Sequence, residues 1–139
     1  MKKFNQDFTI EKDDFLNMGN VSGKVRTILH EMEFPSELIR RVSTVLYQGE
    51  INMLIHAGGG KINLDISEGV ITMTLSDKGP GIENIEEAMK EGYSTAGTKA
   101  KARGFGEGMG LSSMKKFSDE MYIYSKPGEG TTVIMKVFF

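Results

Sequence analysis

The sequence predicts an α+β domain in which a largely antiparallel sheet carries its helices on one face. Two kinds of hydrophobic pattern support this prediction. Residues 61–67 and 70–76 alternate apolar with polar side chains on either side of a short Glu-Gly turn, as the two strands of a hairpin do. Residues 19–33 and 35–57 instead repeat their apolar side chains at the period of an amphipathic helix.

The first half of the chain is predicted to begin with a strand at residues 2–10, where Phe4, Phe8 and Ile10 alternate loosely. The second helix is expected to start at Pro35, because proline suits the first helical turn. Three consecutive glycines at 58–60 are expected to end that helix abruptly.

The second half of the chain is richer in glycine and is predicted to contain shorter elements. In chain order these are a short helix at 83–90, a mobile loop at 92–108, a helix at 110–117, and two strands at 120–125 and 131–138.

The bulk composition indicates one globular domain spanning residues 1–139. The net charge of −2 gives no basic field for direct nucleic-acid binding. The chain has no cysteine for a disulfide, a zinc site or a thiol nucleophile. No apolar run approaches the roughly 20 residues of a membrane helix, and the N-terminus lacks the apolar core of a signal peptide. A cytoplasmic location is expected.

A first candidate site is the segment Asp77-Lys78-Gly79-Pro80-Gly81, which follows a predicted strand. A carboxylate at such a position is costly to bury unless it has a partner, and the glycines permit close approach of a ligand. The segment could form a slot for a flat ligand with an acidic acceptor behind it. A simple polar turn is an equally good interpretation of this motif alone.

A second candidate is the run Gly104-Phe105-Gly106-Glu107-Gly108-Met109-Gly110-Leu111, in which four glycines alternate just before a predicted helix. Glycine loops can turn backbone N–H groups toward one point, and helix N-termini attract anions. The run therefore predicts phosphate binding. A flexible loop is the alternative, although such loops seldom lead directly into an apolar helix.

A polar stripe on the long helix is the third candidate. Gln48, Asn52 and His56 are spaced four residues apart, so they share one face. The asparagine carbonyl oxygen is a suitable ligand for Mg²⁺. For His56 alone, a structural role is the preferred interpretation. Glu50 lies two residues from the stripe, about 200° around the helix, and is expected to face away.

Taken together, these segments resemble the GHKL superfamily, which includes DNA gyrase, the catalytic domains of histidine kinases, MutL and small anti-sigma regulatory kinases. The helix around Asn52 is similar to the N box of that superfamily, and the Asp77 segment to its first glycine box. The run at 104–111 resembles the second glycine box, and Gly128-Glu129-Gly130-Thr131 the last. The order and spacing of these motifs cover residues from about 40 to 132.

The resemblance implies the Bergerat ATP-binding fold, a two-layer sandwich with a mixed, mostly antiparallel sheet. It also implies ATP or ADP with Mg²⁺ as cofactors, adenine bound by Asp77, the metal bound by Asn52, and a lid at 92–108 over the phosphates. The residues that it assigns to nucleotide binding are Asn52, His56, Asp77, Gly79, Gly81, Ile82, Thr95, Gly104, Phe105, Gly106, Gly108, Met109, Gly110, Leu111 and Thr131.

Within the superfamily the chain most resembles the anti-sigma regulatory factors, which act as serine/threonine switch kinases. Residues 109–116 and the compact segment 92–95 carry this likeness. It implies a small STAS-domain protein, such as an anti-sigma antagonist, as the partner, with a sigma factor and a second copy of the chain as further candidates.

The chain departs from the switch kinases at one position. Their general base is a glutamate one turn before the N-box asparagine, and Gln48 stands there instead. A glutamine cannot accept a proton at neutral pH. The leading hypothesis is a protein serine/threonine kinase, and the alternative is a nucleotide-gated binding protein with little or no turnover. An engineered replacement of glutamate by Gln48 is a further explanation, which the sequence does not distinguish from these.

Overall fold

The computed structural model describes residues 2–12, 14–81 and 110–139. Their strands form one five-stranded sheet in the order β1-β2-β3-β5-β4, and all four pairings are antiparallel. In chain order the strands are β1 (Phe4–Ile10), β2 (Gly60–Ser67), β3 (Val70–Ser76), β4 (Glu120–Lys126) and β5 (Gly130–Phe138). The predicted antiparallel sheet is therefore confirmed.

Within these described ranges, three helices accompany the sheet: α1 (Asn20–Glu31), α2 (Ser36–His56) and α3 (Gly110–Phe117). A short 3₁₀ turn, Phe15–Asn17, precedes α1. Helix α1 ends two residues before the predicted bound, because Glu33 adopts a left-handed backbone with φ of 62°. The helix predicted at 83–90 and the loop predicted at 92–108 lie outside the described residues.

One face of the sheet and the inner faces of the helices share a single apolar core. Alternate side chains of the three central strands are buried there, as the period of two in a strand requires. These core residues are Ile62, Leu64 and Ile66 of β2, Ile71, Met73 and Leu75 of β3, and Val133, Met135 and Val137 of β5. The helices therefore lie on one face of the sheet. None of the helices described is long and apolar enough to cross a membrane.

Helix α2 lies close against the sheet at Gly49. A Cβ atom added there would collide with Cδ2 of Leu75 on β3, and it would lie 3.4 Å from the sulfur of Met114 on α3. Both neighbours are almost completely buried, so neither can move freely into solvent. The missing side chain at Gly49 allows α2, β3 and α3 to pack together.

We expect Gly49→Ala to lower the free energy of unfolding by about 1–3 kcal/mol, because the extra methyl group overpacks the contact with Leu75. Gly23→Ala on α1 is the matched control, since a Cβ at Gly23 meets nothing within 4 Å. Replacing a mid-helix glycine there should raise stability by about 0.5–1 kcal/mol. Urea denaturation of both variants measures the difference, and equal effects would contradict the packing argument.

Candidate functional site

The carboxylate of Asp77 organises the segment that follows β3. Its Oδ1 atom accepts hydrogen bonds from the amide of Gly79 at 2.9 Å and from the amide of Thr131 at 3.1 Å. The amide of Asp77 in turn donates to the carbonyl of Thr131 at 2.9 Å. Oδ2 has no donor among the residues that the structure describes. One oxygen of Asp77 therefore shapes the backbone, while the other has no donor within the described residues.

The segment 77–81 is enclosed by the end of α2 and by the β4–β5 turn. A Cβ added to Gly79 would lie 2.7 Å from Cα of Ala57, directly after α2. On the other side, the amide of Gly128 donates to the carbonyl of Pro80 at 2.7 Å. Gly81 has a φ of 78° and lies against the backbone of Lys126, so a side chain would not fit. Asp77 thus lies where α2, β3 and β5 meet.

Thr131 lies beside Asp77 through its backbone, and its side chain faces a second hydroxyl. The Oγ atoms of Thr131 and Ser125 are 2.8 Å apart, and Ser125 also donates to the carbonyl of Gly130 at 3.1 Å. These contacts fix the start of β5 next to the Asp77 carboxylate. The predicted role of Thr131 in binding nucleotide stays a prediction.

The polar stripe on α2 begins at Gln48, next to Gly49, and runs toward Ala57. Gln48 and Asn52 are both half-buried, and neither side-chain amide makes a hydrogen bond within the described ranges. Half-buried amides usually find partners in a folded protein. The stripe therefore presents two polar side chains without partners among the described residues. For His56, only its position at the end of α2 is described.

Glu50 is buried on a different side of α2, with 2% of its surface exposed. Its Oε2 accepts from the amides of Gly19 at 2.9 Å and Val21 at 3.3 Å, and its Oε1 accepts from the amide of Ser22 at 3.0 Å. These amides belong to the N-terminal end of α1, where backbone donors lack partners and a negative charge is favourable. Glu50 caps α1, and its carboxylate is turned away from the stripe as expected.

This cap is the structural role that the sequence reasoning missed. A weak signal for it exists, because the N-cap residue of α1 is Gly19, which has no side chain to bond the helix amides, and the first turn contains no acidic residue. Such a helix start needs an acceptor from elsewhere in the chain.

The other predicted site residues divide into two groups. Gly110 begins α3, and Leu111 is half-buried and packs against the core. The remaining predicted residues lie outside the described part of the chain: Ile82, Thr95, Gly104, Phe105, Gly106, Gly108 and Met109. Their assignments, and that of the lid at 92–108, stay predictions.

The chain matches a known protein family over most of its length. Residues 38–139 match the family HATPase_c, described as histidine kinase-, DNA gyrase B-, and HSP90-like ATPase. The chain belongs to this family. The catalytic domain of the histidine kinase ThkA has the same fold, with a TM-score of 0.56 and 17% identity over 99% of this chain and 96% of that one.

Two curated relatives carry regulatory names. The chain is 30% identical over 118 residues to the anti-sigma F factor of Halalkalibacterium halodurans, covering 81% of this chain and 77% of the relative. It is 30% identical over 112 residues to the serine/threonine-protein kinase RsbT of Bacillus subtilis, covering 78% of each. The predicted resemblance to the anti-sigma regulatory factors is thus confirmed, because relatives with these names match most of the chain.

We expect Glu50→Ala to lower the free energy of unfolding by at least about 2 kcal/mol, because it leaves three amides of α1 without their charged acceptor. Glu31→Ala, which removes an exposed carboxylate from the same helix pair, should change stability by no more than about 0.5 kcal/mol. Thermal and urea unfolding provide the comparison. A Glu50→Ala variant as stable as Glu31→Ala would mean that the cap contributes little.

Proposed function

We propose that this chain is an ATP-binding regulatory protein serine/threonine kinase of the anti-sigma-factor type, acting on a STAS-like partner. The observation that carries the proposal is the Asp77 carboxylate, whose Oδ1 is held by Gly79 and Thr131 while Oδ2 has no donor within the described residues. A fixed acceptor at the back of a glycine-lined slot suits the exocyclic amino group of adenine.

The proposed metal site uses Asn52. Its amide is half-buried and makes no hydrogen bond within the described ranges, which fits a side chain that completes its contacts with a bound Mg²⁺ and phosphate. Mg²⁺ is commonly held by one or two protein oxygens together with substrate phosphates and waters. The described residues contain no cluster of three or more His, Cys, Asp or Glu side chains that could hold a metal ion. When bound, the metal would supply charge neutralisation at the phosphates.

The residues near Asn52 favour slow phosphoryl transfer. Gln48 stands at the position of the base, and glutamine cannot take the proton of an attacking hydroxyl. Glu50 could not replace it, because both of its oxygens accept amides of α1 on another side of the helix. Positioning and electrostatics would remain to promote transfer. This observation also favours the second candidate function, a nucleotide-gated binding protein with little turnover.

The proposed partner follows from the relatives. One is named an anti-sigma factor, which points to a sigma factor, and one is named a serine/threonine-protein kinase, which points to a protein hydroxyl as phosphate acceptor. A small STAS-domain protein would supply that hydroxyl, and a second copy of the chain is a further partner. A cytoplasmic location belongs to the same proposal.

Asp77→Asn tests the adenine contact. The asparagine carbonyl can still accept from Gly79 and Thr131, whereas its amino group would replace Oδ2 and face the adenine amino group. Affinity for ADP should therefore fall by about 1–3 kcal/mol, with little change in melting temperature. Calorimetric titration with Mg·ADP measures this, with Asp7→Asn on the exposed face of β1 as the charge-matched control. Equal ADP affinity in Asp77→Asn and the parent chain would remove Asp77 from the site.

Gln48→Glu tests the turnover. A pull-down with the ATP-loaded protein first identifies the partner, and single-turnover transfer from labelled ATP then measures the rate. Gln48→Glu should raise that rate by at least about tenfold, the lower part of the range for a general base. Gln6→Glu, the same change at an exposed position of β1, should leave it unaltered.

Three outcomes are distinguishable in that assay. An unchanged rate in Gln48→Glu together with complete loss in Asn52→Ala would show that the assignment of the base is wrong. Labelling that is absent in every variant, with ATP binding intact, would favour the nucleotide-gated binding function over the kinase. A parent chain that binds neither ATP nor ADP would exclude both functions.

A further inference from the structure

Polar contacts of Arg41 and Asp119 join α2, α3 and β5 on the side of the core away from Asp77. We call these two side chains the polar clamp. Arg41 on α2 donates through Nε to the carbonyl of Phe117, the last residue of α3, at 2.6 Å. Its Nη2 atom lies 3.0 Å from Oδ1 of Asp119. The second oxygen of Asp119 accepts the amide of Phe138 on β5 at 2.7 Å. One guanidinium thus ties the end of α3 to α2 and, through Asp119, to β5.

The contacts of α3 with α2 define how the two helices run relative to each other. Met114, in the middle of α3, packs beside Gly49 in the middle of α2, while Phe117 contacts Arg41 two turns earlier in α2. The two helices therefore run antiparallel. The N-terminal end of α3 at Gly110 points toward the later part of α2, where Asn52 lies. Helix α3 has only eight residues, so a shift at its C-terminal end is carried to its N-terminal end with little loss.

The charges within the clamp favour the ion pair between Arg41 and Asp119. The amide of Phe138 holds the pKa of Asp119 below its usual value; partial burial opposes this shift, and the Arg41 guanidinium reinforces it. Asp119 therefore remains ionised at neutral pH, as the ion pair requires. The guanidinium also places positive charge at the C-terminal end of α3, where the helix dipole favours a cation.

We propose that Arg41 is a positioning residue for the phosphate end of the nucleotide site, acting through the C-terminal end of α3. This inference rests on the proposed function, since it assumes that the N-terminal end of α3 faces phosphates. Arg41 itself touches no ligand. Asp77, at the adenine end, is held by separate contacts to Gly79 and Thr131 and does not depend on Arg41.

The test compares ligands that share adenine and differ in phosphate. Arg41→Ala should weaken binding of Mg·ADP and Mg·ATP by about 2- to 30-fold, the range for residues that act through a packed network, and leave adenosine affinity within about twofold. Arg40→Ala is the matched control, because Arg40 is an exposed neighbouring arginine on α2 whose side chain makes no hydrogen bond or ion pair with α3 among the described residues. Calorimetry gives the three affinities for each variant.

Asp119→Asn provides a second route if Arg41→Ala folds poorly. The asparagine carbonyl can still accept the Phe138 amide, while the ion pair with Arg41 is lost, so the same selective loss of phosphate affinity is expected. An equal loss for adenosine and ADP, or no loss for either, would overturn the proposal by showing that the clamp is only structural. A parent chain that binds adenosine, ADP and ATP equally would overturn it as well. A parent chain that binds none of the three would instead contradict the proposed function.

Discussion

The site depends on one carboxylate oxygen. Oδ1 of Asp77 joins the end of β3 to the start of β5 and to the glycine turn that follows, so a single acceptor satisfies two backbone amides. With those amides bonded, the turn can lie against Ala57 at the end of α2. The same arrangement leaves Oδ2 without a donor within the described residues. In the proposed function, folding uses one oxygen of this side chain and nucleotide recognition would use the other.

Helix α2 also keeps side chains with a structural role apart from those of the proposed site. Gln48 and Asn52 lie on one face and make no hydrogen bonds within the described ranges, whereas Glu50 is buried and bonded to three amides of α1. The buried carboxylate stabilises the contact between the helices, so it is not available for chemistry. Near the proposed metal ligand Asn52, the negative charge of α2 is therefore that of Glu50, which has a structural role, while Gln48 is uncharged. That distribution explains why binding and turnover are expected to differ in this chain.

Local patterns predicted most of the fold, and long-range contacts account for what was missed. The hairpin of β2 and β3 and the position of α2 follow from alternation and helical spacing, and the glycines at 58–60 end α2 as expected. The position of Asp77 directly after a strand was predicted, and its role in binding adenine, which the resemblance implies, stays a prediction. The cap on α1 was not predicted, because Glu50 and Gly19 are 31 residues apart. The contact between Arg41 and Phe117 spans 76 residues, and no local pattern indicates it.

The most direct measurement is a crystal structure of the chain with Mg·ADP. The account predicts that Oδ2 of Asp77 lies within hydrogen-bonding distance of the adenine amino group, about 2.7–3.2 Å, and that Oδ1 keeps its bonds to Gly79 and Thr131. A nucleotide bound away from Asp77, or an Asp77 side chain that has released those two amides to reach the adenine, would contradict it.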